Sequence, residues 1–170
     1  MIHSLDKTIF EALNTAQMVS EISASPEQSA HAQYELFNLD AMTNEQIATV
    51  GRAFASELDR HGDVGDYQRS ELANEMAMLM DKDVEKLATS DPGRMRELIV
   101  MLEASEDPYD AELIGVWVAR IGSVDYEFAR DTLLRLYKMD SDSCAMGIGV
   151  LKDRITPEQK ADLDAHNPFR

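Results

Sequence analysis

The chain reads as all-α, and three observations predict this. Capping boxes recur along its length, apolar residues return at the helical period, and no window alternates with period two beside an Asn-Gly or Asp-Gly turn. Together they predict about eight helices in a single domain spanning residues 1–170. At 170 residues with 44% apolar composition, a chain can bury roughly two thirds of its unfolded surface. It needs no disulfide or metal staple. No linker, low-complexity run or composition shift divides it.

The helix starts are written as local chemistry. Ser25-Pro26-Glu27-Gln28, Thr43-Asn44-Glu45-Gln46 and Thr156-Pro157-Glu158-Gln159 each set a hydroxyl three residues before a glutamine. The hydroxyl can accept from the amide three residues on, while the glutamine side chain reaches back to the capping residue's own amide. Asp91-Pro92 and Asp107-Pro108 repeat the arrangement with a carboxylate cap, which also suits the positive end of a helix dipole. Pro26, Pro92, Pro108 and Pro157 thus mark helix starts, where a missing amide hydrogen costs nothing.

Between the caps, apolar stripes follow in order. Leu5, Ile9, Ala12, Ala16 and Val19 form the first, and Ile47, Val50, Phe54 and Leu58 the second, ending at His61-Gly62. Leu72, Met76, Leu79, Met80, Val84 and Leu87 run without a break, so 66–88 is one long helix. Shorter helices are expected over 92–104, 108–121, 124–138 (Tyr126, Ala129, Leu133, Leu136, Tyr137), 142–154 and 157–165. Leu113 to Ile121 is apolar on nearly every face, as in a helix buried on several sides, with Trp117 at its centre. That run is too short to cross a bilayer.

From residue 91 the connections are two to four residues long, which makes successive helices antiparallel neighbours. In spacing alone this half resembles the stacked helix pairs of HEAT-like α-solenoids. A short solenoid of that kind and a compact multi-helix bundle both satisfy the pattern.

Charge limits the partners. The 32 Asp and Glu against 16 Lys and Arg give a net charge of −16, beyond the magnitude of about 8 that suffices for solubility. Such a field repels phosphate backbones and anionic lipid, so direct nucleic-acid and membrane binding are disfavoured and a basic protein partner is expected. The single cysteine, Cys144, and a start (Met1 to Lys7) without a basic, apolar leader point to a reducing cytoplasm.

Motifs for chemistry are lacking. His3, His31, His61 and His166 form no paired zinc motif, and His61 beside Asp63 and Asp66 reads as a helix-ending histidine. Asp140 and Asp142 begin a calcium-loop pattern that Cys144, Ala145 and Leu151 break. Glu103-Ala-Ser-Glu106 is similar to the first half of the Glu-x-x-Glu pattern of MazG-like pyrophosphatases, but no Glu-x-x-Asp follows. Cys144 lies on an apolar stripe with Ile148 and Leu151 and reads as a buried small hydrophobe. Met76, Met78 and Met80 read mostly as core. No nucleophile elbow or phosphate loop occurs. The expectation is a non-enzymatic protein without cofactor or metal.

Alternate loops of antiparallel helices share an edge, so the turns near 62–65, 105–107 and 139–142 are expected together. That edge supplies the candidate partner-binding set: Asp63, Asp66, Tyr67, Glu103, Glu106, Asp107, Tyr109, Asp110, Asp140 and Asp142. Acids steer a basic partner and tyrosines can anchor it. The opposite edge, near 89–91 and 122–124, carries Arg94 and Arg96. Three functions follow from this reading: an inhibitor or immunity-type protein covering a basic site on a nuclease or toxin, a solenoid-type helical scaffold or adaptor, and a carboxylate-metal hydrolase on a helical bundle.

Overall fold

The computed structural model describes residues 2–22, 25–59 and 67–170. Among them are nine α-helices and no strand: α1 (Ile2–Ile22), α2 (Pro26–Tyr34), α3 (Asn44–Leu58), α4 (Tyr67–Ser90), α5 (Pro92–Ala104), α6 (Asp110–Ile121), α7 (Tyr126–Leu136), α8 (Ser141–Lys152) and α9 (Pro157–His166). A 3-10 turn, Leu39–Ala41, precedes α3. The backbone divides into two compact units, Met1–Asp83 and Val84–Arg170, with the division inside α4.

Of the three expected capping boxes two form in full, at Thr43 and Thr156, while at Ser25 only the hydroxyl half is made. Thr43 Oγ1 accepts from the Gln46 amide at 3.2 Å and Gln46 Oε1 from the Thr43 amide at 2.8 Å. Thr156 and Gln159 repeat this at 3.2 and 3.0 Å. Ser25 caps α2 and Asp91 caps α5. Asp107-Pro108 differs. The Asp107 carboxylate accepts from the Tyr109 amide, two residues on and not three, so it closes a turn through Pro108. Helix α6 consequently starts at Asp110, with no side-chain bond at its cap. Asp125 and Asp140 cap α7 and α8, which shifts those starts from the expected 124 and 142.

In the first unit Ile9, Ala12, Leu13 and Ala16 of α1 pack with Ile47, Val50 and Phe54 of α3, and Leu72, Met76 and Met80 of α4 are also buried. Polar contacts tie the helices where apolar ones end. Ser29 donates to the Ala16 carbonyl at 2.7 Å and Tyr34 to Asp83 at 2.7 Å. Arg69 of α4 bonds Glu57 of α3 through two nitrogens and also reaches Asn14 of α1. Val19, expected in the α1 stripe, is 38% exposed, and Met78 is 49% exposed. Two residues along a helix turn about 200° from Met76 and Met80, which carries Met78 to the outer face.

The second unit is a bundle around α6, which packs against α5, α7 and α8 at once. Trp117, 1% exposed, lies in its core with Ile114, Val118 and Ile121. Helices α6 and α8 come close because neither has a Cβ at the crossing. One at position 115 would meet the Ser143 carbonyl oxygen at 2.5 Å, and one at position 147 the Gly115 oxygen at 2.7 Å. Cys144 is buried beside them and donates to the Leu133 carbonyl at 3.1 Å.

Candidate functional site: an acidic edge of the second unit

Ion pairs at both ends of α5 and α7 fix which loops share an edge. Arg96, in the first turns of α5, pairs with Asp125 at the cap of α7 and places its guanidinium 5.2 Å over the Phe128 ring. At the far ends, Arg135 donates to both oxygens of Glu103 at 3.1 and 3.3 Å. The two helices therefore run the same way, and the 105–109 and 137–140 turns fall on one edge. Helix α9 runs beside α7 in that direction too. Tyr126 donates to Asp162, Arg130 bonds the same carboxylate at 2.8 Å, and further along Tyr137 meets Phe169.

This edge holds six of the candidate residues. Glu106 and Asp142 are exposed; Glu103, Asp107, Tyr109 and Asp140 are half-buried. Three of the acids have structural work as well: Glu103 holds Arg135, Asp107 holds the Tyr109 amide, and Asp140 holds the Asp142 and Ser143 amides. Asp110 is only 2% exposed; the first turn of α6 faces inward there, and its carboxylate is not presented to a partner. Tyr67 opens α4, but its side chain, like Asp63 and Asp66, lies outside the described residues.

Acids outnumber bases toward both edges of this unit. Arg135, Lys138 and Arg170 are the bases near the acidic edge, where Glu103, Glu106, Asp107, Asp140 and Asp142 outnumber them. Toward the other edge Lys86, Arg94, Arg96, Arg120, Arg130, Lys152, Arg154 and Lys160 stand with Glu85, Asp91, Glu97, Asp125, Glu127, Asp131, Asp153, Glu158, Asp162 and Asp164. Ion pairs join Arg130 to Asp131 and Asp162, Lys152 to Asp164 at 2.6 Å, and Arg154 to Glu85 at 3.4 Å, as Glu103 joins Arg135 on the acidic edge. Hydrogen bonds from Tyr126 and Arg130 hold the Asp162 carboxyl below its ordinary range, and one from Lys152 does the same to Asp164. Burial and the Asp162 carboxylate push the Tyr126 hydroxyl up.

No family model matches the chain, and no curated protein or solved structure matches it.

Among the described residues no group of three or more His, Cys, Asp or Glu side chains is arranged to hold a metal ion. Glu103 faces Arg135, and Glu106 lies past the last residue of α5. Burial pushes the Cys144 thiol up, away from the thiolate that a nucleophile requires. Among the described residues no helix is long and apolar enough to cross a membrane.

Three residues of this edge were not among the sequence candidates: Tyr137, Met139 and Phe169, all exposed. Tyr137 falls on the α7 stripe and reads there as core. It is instead the residue that ends the helix, and its ring leaves the apolar face. Phe169 follows Pro168 outside any periodic pattern, so only its contact with Tyr137 brings it to the site.

Proposed function

We propose that the protein is a non-enzymatic, cytoplasmic protein-binding module, an acidic inhibitor or immunity-type protein that covers a basic site on a partner such as a nuclease or toxin. The observation that carries this reading is the gathering of Glu103, Glu106, Asp107, Asp140 and Asp142 on one edge of the second unit, in a chain with a net charge of −16. Even if each of the 16 bases neutralised one acid, 16 acids would remain. A field of that sign steers a basic partner toward the edge and selects its orientation. A Met-rich groove, which a scaffold reading would use, is not favoured, because Met76 and Met80 are buried and only Met78 of the three is exposed.

The test is affinity capture with tagged protein from its native lysate, washed at low and then high salt. A basic protein that elutes with salt is expected, and Glu106→Lys with Asp142→Lys should fail to retain it. Both side chains are exposed and neither caps a helix, so the variant keeps its fold. Retention unchanged by the double substitution, or no salt-eluted basic protein at all, would sink the proposal.

A further inference from the structure

The acidic edge carries an apolar feature that charge alone does not explain. Tyr137 and Phe169 are 39% and 47% exposed, yet their rings touch edge to face with centroids 5.2 Å apart. Among the described residues the other ring pairs, Tyr34–Phe37 and Phe37–Phe54, are buried. Met139, two residues from Tyr137, is 57% exposed. A turn holds Phe169 in place: Asn167 Oδ1 accepts from its amide at 3.0 Å, and the Asn167 carbonyl accepts from the Arg170 amide. The rings are therefore ordered before any partner arrives, which lowers the entropic cost of docking, and the methionine thioether can adapt to what lands beside them.

Resting on the reading of the protein as a binder of basic partners, we propose that Tyr137, Met139 and Phe169 are the anchor of the acidic edge. They seat one large apolar side chain carried on a lysine- or arginine-rich segment of the partner. The charge around the anchor selects that occupant. Arg135 is neutralised by Glu103 and Arg170 lies 3.5 Å from Asp164, so Lys138 stands against Asp140, Asp142 and Glu106. Interfaces of this type place an apolar centre inside a charged rim: the centre supplies affinity and the rim supplies encounter rate.

The test labels the methionine methyl groups with carbon-13 and titrates the intact protein with a synthetic lysine-rich peptide bearing one central leucine. The same peptide with alanine at that position is the control. The Met139 methyl resonance should move, while the exposed Met18, Met78 and Met146 stay in place as internal references. Affinity should drop about tenfold for the alanine peptide, and equally for the leucine peptide on Tyr137→Ser with Phe169→Ser. Equal binding of both peptides, or movement at Met18 or Met78 instead, overturns the anchor and leaves the basic-partner reading standing. Binding of neither peptide at low salt overturns both. A Met139 shift that grows with protein concentration alone assigns the face to a second copy of the chain and overturns the proposal.

Discussion

A methyl group at position 115 would have to share space with the Ser143 carbonyl oxygen, a backbone atom that cannot rotate aside. Gly115→Ala is therefore expected to lower stability by about 2 kcal/mol, the scale of overpacking in a tight core, read as a shift in the urea midpoint. Gly149, in α8, has nothing within 4 Å of the place a methyl group would occupy. Gly149→Ala should raise stability by up to ~1 kcal/mol through helix propensity alone. If both changes act alike, the close α6–α8 crossing is not what the glycines serve. Arg69 and Glu57 are a second test at this scale. Their side chains are 11% and 12% exposed, and Arg69→Ala takes this counter-charge from the largely covered Glu57, a loss of about 3 kcal/mol that the same urea midpoint would register.

Among the helices, α9 depends least on apolar packing. Leu163 is its one buried residue, and the rest of its attachment is polar: Asp162 to Tyr126 and Arg130, and Asp164 to Lys152. Both carboxyls have folded values held below the ordinary range. The stability they contribute is fully present above their unfolded values near ~4 and is lost as pH falls through the depressed folded ones. Amide resonances of α9 should lose their dispersion below about pH 4 while those of α6 keep theirs, and Asp162→Asn should produce part of that loss at neutral pH. An α9 that stays docked as long as α6 in acid would show that Leu163 alone suffices. Capping operates at the same scale: Thr156→Ala removes the hydroxyl half of the reciprocal box at the start of α9 and should cost about 1 kcal/mol, measured by thermal unfolding.

For the whole molecule the excess of acids sets the response to salt. Two acids for every base leave net self-repulsion after all the observed ion pairs have formed. Raising ionic strength from about 0.01 to about 1 M shrinks the screening length from ~30 to ~3 Å, so Tm is expected to rise. Exposed ion pairs are weakened by the same salt, but each contributes less than about 1 kcal/mol. A falling Tm would mean that those pairs outweigh the repulsion. Partner binding should respond in the opposite direction, with association slowed by salt more than dissociation is changed.

Helix starts and apolar stripes were legible in the sequence because both are local. A hydroxyl three residues before a glutamine caps the same helix wherever that helix packs, and Trp117 and Cys144 read as core from their stripes alone and are buried. Of the turns near 62–65, 105–107 and 139–142 that short loops put on one edge, the Glu103–Arg135 pair places the last two together, and 62–65 lies outside the described residues. Tertiary structure decided the rest. Periodicity shows which face of a helix is apolar but not where its neighbour ends, so Tyr137 and Val19 read as core and are exposed. An aspartate in a first helical turn reads as solvated, yet Asp110 is covered, since burial depends on what packs over that turn. Tyr137 and Phe169 lie 32 residues apart, and ring contacts reach only a few ångströms, so no spacing along the chain could have announced their meeting.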